Sequence, residues 1–310
     1  MRLAFMGTPE FAVVALKALL EAGEDIIGVV TQPDRPKGRG KQLTPPPVKQ
    51  VALAAGLEVI QPASLKEKWV MDKLHNWRPE AIVVVAYGRL LPGEVLELPP
   101  RGCINLHASL LPRYRGAAPI QRAIMQGEPE TGVTTMYVAP ALDSGDIILQ
   151  ERVPIGPEDT AGELHDRLAV VGADLLVETL KLIASGRAPR RPQDEAQATY
   201  APPLRPEEEI IDWSREATVV VNHIRGLSPW PGAYTLRAGE RLKIYRARLF
   251  TGDGCGAPGE VLAVLPEEGF VVQAGAGRVL VTEVQPPGKK PMPASAYLRG
   301  YRLKPGEVLG

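Results

Sequence analysis

The chain has 310 residues, 45% of them hydrophobic, and its 36 basic side chains balance 36 acidic ones; this is a globular composition with ample core, and the length predicts about two domains. Two well-separated cysteines, Cys103 and Cys255, exclude a disulfide scaffold and a cysteine-rich metal site and fit a reducing compartment. No apolar run approaches the roughly 20 residues of a membrane-spanning helix, and the N-terminus enters a strand with no signal-peptide pattern, so a cytoplasmic protein with no membrane partner is expected.

In chain order, residues 2–6 are a short apolar strand. Gly7-Thr8-Pro9 turns it, with Thr8 as helix N-cap and Pro9 at the first helical position. The helix runs to about residue 20, and Gly23 stops it. Residues 25–30 form a second strand, Gly56 ends a second helix, and residues 57–60 begin another strand. Residues 66–77 are helical. The run Ala81-Ile82-Val83-Val84-Val85-Ala86 is apolar and β-branched, as in a central strand buried on both faces. Strands are predicted at 132–138 and 147–153. Thr160 and Glu163 have the spacing of a capping box, which starts a helix that runs to about residue 184 before Gly186. The alternation predicts an α/β fold with a doubly wound, mostly parallel sheet.

Residues 189–205 are proline-rich and poor in large apolar side chains, and read as a linker between an N-terminal domain (1–188) and a C-terminal domain (206–310). A short helix at 217–227 is followed by short alternating strands. Turns at Pro258-Gly259, Glu268-Gly269, 275–277 and Pro287-Gly288 separate them. That pattern predicts a small OB-like β-barrel.

The most informative stretch is Asn105-Leu106-His107. On a strand, residues i and i+2 share a face, so an amide and an imidazole leave the sheet side by side. Ligands of open α/β sheets bind at the carboxyl ends of strands. An imidazole there can move a proton near neutral pH, and an amide can hydrogen-bond a developing oxyanion. The plainer alternative is a polar pair that satisfies a strand end. His75, His165 and His223 sit on helical segments and read as structural or surface residues. No His-x-x-x-His, Cys-x-x-Cys or carboxylate cluster suggests a metal. Gly7-Thr8-Pro9 fails the dinucleotide fingerprint, because Pro9 and Ala12 stand where glycines are required.

Asn105-x-His107-x-Ser109-Leu110-Leu111-Pro112, followed by Arg113-Tyr114-Arg115-Gly116-Ala117-Ala118-Pro119-Ile120, resembles the folate-dependent formyltransferase family. Gly7-Thr8-Pro9-Glu10-Phe11 and Val85-Ala86-Tyr87-Gly88 match further segments, and Asp143 in Leu142-Asp143-Ser144-Gly145-Asp146 falls where the family carries its third catalytic residue. The resemblance implies a Rossmann-like catalytic domain, 10-formyltetrahydrofolate as formyl donor, no metal, and catalysis by Asn105, His107 and Asp143. His107 would take the proton of the attacking amine and return one to the leaving nitrogen. Asn105 would hold the oxyanion, and Asp143 would orient His107 or hold a relaying water. The alternative for Asp143 is ordinary turn chemistry. The loops Val85, Ala86, Tyr87, Gly88 and Ser109, Leu110, Leu111, Pro112 would wall a slot for the pterin ring, with simple loop packing as the alternative.

Between 32 and 49 the βαβ pattern is interrupted by a long loop in which Arg35, Lys37, Arg39, Lys41 and Lys49 face one acid, Asp34, with Gly38 and Gly40 lending flexibility. Such a loop suits phosphate contacts, or is a solvated surface loop. It looks like the insertion with which some family members grip the acceptor end of initiator tRNA, with Arg39 matching the basic residue at its tip. In 241–248, Arg241, Lys243 and Tyr245 share one strand face and Arg246 and Arg248 the other, so only part of the run is expected to touch RNA. Lys289, Lys290, Arg299, Arg302 and Lys304 form a second basic region, and Glu207-Glu208-Glu209 would face away from RNA. Ser228-Pro229-Trp230-Pro231-Gly232-Ala233 and Pro287-Gly288-Lys289-Lys290 resemble the family's C-terminal signatures. The expected activity is formylation of the α-amino group of methionine on initiator tRNA, by a monomer. A small-molecule formyltransferase and a catalytically dead RNA-binding protein on this fold are the rivals.

Overall fold

The computed structural model describes residues 1–37 and 42–310. The chain divides into two compact units: residues 1–119, 131–153 and 165–202, and residues 120–130, 154–164 and 203–310.

In chain order the first part contains β1 (Arg2–Gly7), α1 (Glu10–Glu21), β2 (Asp25–Val30), β3 (Arg35–Lys37), β4 (Gln42–Thr44), α2 (Pro47–Ala54), β5 (Val59–Ile60), α3 (Lys68–Trp77), β6 (Ala81–Val85), α4 (Gly93–Glu97), β7 (Cys103–His107) and β8 (Arg115–Gly116). It continues through α5 (Pro119–Met125), β9 (Glu130–Tyr137), β10 (Ile147–Pro154), α6 (Ala161–Ala184) and β11 (Tyr200–Ala201). The main sheet has the order β10-β9-β7-β6-β1-β2-β5. β1 pairs in parallel with both β2 and β6, β6 with β7 and β2 with β5, while β9 runs antiparallel to β7. Strand order reverses at β1, which is the switch point of a doubly wound sheet and the usual mouth of its ligand crevice. All five residues of β6 are buried, as its unbroken apolar run predicts.

Local chemistry explains most boundaries. In the capping box, the Thr160 N–H donates to Glu163 Oε2 (2.9 Å) and the Glu163 N–H to Thr160 Oγ1 (3.3 Å). Gly23, Gly56 and Gly186 stop their helices at φ +77, +72 and +69. The start of α1 differs from expectation. Pro9 is its N-cap, and the Thr8 hydroxyl donates to the Tyr87 carbonyl at 3.3 Å instead of capping the helix. The stretch 32–49 also differs. It contains a hairpin, β3 against β4, with Arg35 opposite Thr44 and Lys37 opposite Gln42. Its base is held by Lys49 and Gln61, which both donate to Asp34 (2.8 and 2.6 Å) and draw the Asp34 carboxyl below the usual carboxylate range. Residues 189–205 are no bare linker. Arg191 pairs with Ile147 and β11 runs parallel to β8, so this segment is laid along the first unit as far as Pro202.

The second unit contains α7 (Ala217–Gly226), β12 (Tyr234–Arg237), β13 (Glu240–Leu249), β14 (Val261–Leu265), β15 (Gly269–Gln273), β16 (Arg278–Gln285), β17 (Met292–Pro293) and α8 (Ala294–Gly300). Its antiparallel strands follow the order β12-β13-β16-β15-β14, with β17 beside β16. Trp213, Ile224, Ile244, Phe270, Val281 and Tyr297 lie in its core.

In the acidic run 207–209, Glu207 is exposed and Glu208 is tied into the fold. Glu208 forms a two-point ion pair with Arg122 (2.5 and 3.0 Å) and accepts the Arg205 N–H at 2.9 Å. Arg122 holds the Glu208 carboxyl down at about 2, against 4.5 for a free one. A depressed carboxyl contributes stability above its unfolded pKa and loses it as pH falls through the folded one. Glu208→Gln is therefore expected to cost about 2–3 kcal/mol at pH 7, with the deficit shrinking as pH falls from about 4.5 towards about 2. Denaturant melts at pH 7 and pH 3 check this; an equal deficit at both would assign the loss to packing.

Candidate active site

β7 lies beside β6, with Asn105 opposite Val84 and Leu106 opposite Val85, and Val85 in turn is opposite Gly7 of β1. The carboxyl ends of β1, β6 and β7 are thus neighbours at the switch point. Asn105 and His107, two residues apart on β7, share the face expected from strand alternation. Asn105 is half-buried, and its amide makes no hydrogen bond among the described residues. His107 is 7% exposed.

The imidazole is held in one sense. His107 Nε2 lies 3.0 Å from the Tyr114 carbonyl oxygen. A carbonyl only accepts, so Nε2 carries the hydrogen and Nδ1 is the basic nitrogen of the neutral ring. Nδ1 lies 3.7 Å from Asp143 Oδ2. A proton arriving at Nδ1 would face a carboxylate, which stabilises the imidazolium. Asp143 itself sits at φ +47, a strained backbone for a non-glycine residue, and its Oδ2 accepts the Gly116 N–H at 2.9 Å. Asn105, His107 and Asp143 therefore meet at one end of β7: a hydrogen-bond donor, a buried base and a carboxylate behind it.

Sequence reasoning missed the segment that supports this group. Gln193 donates both amide hydrogens into the Asp143 loop, to the carbonyls of Asp143 (2.9 Å) and Gly145 (2.8 Å). Its own oxygen accepts from Arg115 (3.1 and 2.8 Å), which is 2% exposed and paired with Glu195 at 2.8 Å. Thr199 accepts the Tyr114 N–H on its hydroxyl and the Arg115 N–H on its carbonyl, both at 2.8 Å. No local pattern announces such contacts, because they join residues 48 to 85 positions apart.

The residues expected to wall a pterin slot divide by exposure. Val85, Tyr87, Ser109 and Leu111 are buried. The Tyr87 carbonyl already accepts from Thr8 and Gln32, and the Ser109 carbonyl from Thr134. The Leu111 N–H donates to Thr134 at 3.2 Å. Ala86 and Gly88 are exposed, and Leu110 and Pro112 half-exposed, so only these offer surface to a flat ligand.

Of the basic residues, Arg35 is exposed and donates to Gln32 at 2.6 Å, and the Lys37 backbone belongs to β3. Arg39 and Lys41 lie outside the described residues. Lys49 is paired with Asp34 at 2.8 Å. In the second unit Arg246 is paired with Glu163 and Glu283, and Arg248 with Glu268; a bulge between Ile244 and Arg246 turns both to the outer face of β13 that carries Arg241, Lys243 and Tyr245, and not to the opposite face as strict alternation predicts. Lys289, Lys290, Arg299, Arg302 and Lys304 are exposed and form no ion pair among the described residues.

The other histidines stand apart. His75 Nδ1 lies 2.7 Å from the Met71 carbonyl, and His165 meets the Phe11 ring edge-on. His223 is half-buried in α7, and the loss of solvation of its ring pushes its pKa down. Among the described residues there is no group of three or more metal-ligating side chains, and no helix long and apolar enough to cross a membrane.

Residues 1–180 match the formyl transferase family and residues 203–302 match the formyl transferase C-terminal domain. The chain is 67% identical over 310 residues to "Methionyl-tRNA formyltransferase" of Moorella thermoacetica, covering 100% of this chain and 99% of that one. It is 51% identical to the protein of the same name from Desulforamulus reducens, covering 100% and 98%. Among solved structures, HypX from Aquifex aeolicus in complex with tetrahydrofolic acid superposes with a TM-score of 0.65 at 19% identity, over 96% of this chain and 47% of that one.

Proposed function

The chain belongs to the formyl transferase family, and from that premise we propose that it moves a formyl group from 10-formyltetrahydrofolate to the α-amino group of methionine on initiator tRNA. One observation carries the reading: the chain is collinear end to end with relatives of that name while Asn105, His107 and Asp143 meet at the carboxyl end of β7. A small-molecule formyltransferase would not call for the basic sequence of residues 32–49 or for the exposed cations of the second unit that form no ion pair among the described residues, and a dead RNA-binding protein would not call for the site.

In the proposed reaction the methionine amine attacks the formyl carbon, and its proton passes to His107 Nδ1. The carbonyl oxygen becomes an oxyanion, to which the Asn105 amide donates. Asp143 stabilises the imidazolium. As the intermediate collapses, the bond between the formyl carbon and N10 of the folate breaks. The proton on Nδ1 goes to that leaving nitrogen. Ala86, Gly88, Leu110 and Pro112 contact the pterin, with Val85, Tyr87, Ser109 and Leu111 shaping the loops from beneath. Arg35, Lys37, Arg39 and Lys41 bind the acceptor end of the tRNA, and Lys289 and Lys290 its backbone. Residues 1–188 are the catalytic domain and 206–310 an OB-like tRNA-binding domain, with 189–205 between them, in a cytoplasmic monomer. The test is incubation of the protein with 10-formyltetrahydrofolate and charged initiator tRNA: formylmethionine is expected, and its absence overturns the reading.

Arg39→Ala separates the two substrates. Arg39 stands in sequence among basic residues and glycines with no large apolar side chain beside it, so its proposed partner is a phosphate or a base edge. The variant should lose roughly 10-fold in kcat/KM for charged tRNA, the size of one lost contact, with folate affinity unchanged. Normal kcat/KM would leave the hairpin a surface feature.

A further inference from the structure

We propose that Gln193 is a positioning residue for formyl transfer, holding Asp143 behind His107 from a segment distant in sequence. The inference rests on the reading of Asp143 as part of the catalytic group. Asp143 adopts φ +47, so its loop needs an external restraint to stay there. Few restraints come from within. Ser144 Oγ donates to the Ala141 carbonyl at 3.1 Å, and the Tyr137 N–H to Asp146. Gly145 lies so close to the Tyr137 carbonyl that an added Cβ would sit 1.7 Å from its oxygen, so the loop has no room to relax inward.

Gln193 supplies the missing restraint with both hydrogens of one amide, on the carbonyls either side of Ser144. An amide that donates twice and accepts on its remaining oxygen is fixed in orientation. Here that oxygen takes Arg115 Nε and Nη2, and Arg115 is clamped in turn by both oxygens of Glu195 (2.9 and 2.8 Å). The same segment reaches the other side of the imidazole. Thr199 holds the backbone of Tyr114 and Arg115, and the Tyr114 carbonyl is the acceptor for His107 Nε2. Residues 193–199 thus brace both groups that flank the base: the carbonyl on Nε2 and the carboxylate near Nδ1. Displacing a catalytic group by about 1 Å from a remote site can lower a rate on the order of 10²-fold.

Gln193→Glu keeps an acceptor for Arg115 but loses both donors into the loop, and Gln193→Met loses both functions at similar volume. Each should lower kcat by roughly 10-fold to 10²-fold, counted per folate-binding site so that misfolded protein does not enter. KM for folate and for charged tRNA should stay within about 2-fold, since a lost transition-state interaction lowers kcat without raising KM. The pH profile of kcat should also move, because the carboxylate facing Nδ1 is no longer fixed; a purely structural role would leave its shape unchanged. Unaltered kcat per site in either folded variant, or a loss with unaltered pH profile, overturns the proposal. Asp143→Asn run in parallel keeps the two readings apart. If Asp143→Asn retains full activity, the catalytic reading of Asp143 fails; if it is impaired while Gln193→Glu is not, only the positioning role fails.

Discussion

His107→Ala should lower kcat by about 10²–10⁴, the usual contribution of a general acid–base group, while folate binding stays nearly intact. The ring has two nitrogens with separate tasks. Nε2–H is tied to the Tyr114 carbonyl at 3.0 Å, and Nδ1 is left basic 3.7 Å from Asp143 Oδ2. Alanine removes the proton acceptor and leaves the carboxylate with the Gly116 N–H at 2.9 Å but no charge to stabilise. Asp143 cannot take over the proton transfer from behind a missing ring without a water in its place, so residual activity should come from positioning and oxyanion stabilisation alone. The acid limb of the kcat/KM profile, which reports protonation of the base in the free protein, should disappear in the variant. The check is single-turnover formylation across pH, with folate affinity measured separately. Near-normal turnover would remove His107 from the chemistry.

The parts of this architecture carried by local pattern were legible before any coordinates. Strand periodicity alone puts Asn105 and His107 on one face, and the unbroken run of 81–86 marks a central strand. The Thr160–Glu163 box and the glycine stops work within one or two helical turns, so spacing reveals them. Where the reading failed, a distant partner competed for a local donor. Thr8 has the chemistry of an N-cap, but its hydroxyl is taken by Tyr87, 79 residues away. Residues 189–205 have a linker's composition. Yet Gln193, Thr199 and β11 make their bonds to β8 and to the loops around His107 and Asp143, which composition does not encode. The ion pair of Glu208 with Arg122, 86 residues away, is another contact that no local pattern carries. Strict alternation also misplaces part of 241–248: a bulge between Ile244 and Arg246 brings Arg246 and Arg248 to the same outer face as Arg241, Lys243 and Tyr245, where carboxylates already match them.

Asn105→Ala should depress kcat by about 10²–10³, the cost of removing one oxyanion donor, with little change in KM. The reason lies in what the side chain lacks. It is half-buried beside a histidine whose Nε2 is already bonded, yet its amide has no hydrogen-bond partner among the described residues. A polar side chain at a strand's carboxyl end would be expected to bond the backbone around it if it had only a structural task. An unengaged amide beside the base is instead available to a group that forms during the reaction. Because the interaction strengthens as charge develops on the oxygen, its loss should fall on the transition state more than on the bound substrate. Asn105→Asp sharpens the test. It keeps size and shape but replaces the N–H donors with a second carboxylate near Asp143, so it should be at least as impaired as the alanine variant. A change confined to KM in Asn105→Ala, or an aspartate variant with near-normal kcat, would make Asn105 a substrate-positioning residue, and oxyanion stabilisation would have to come from elsewhere in the site.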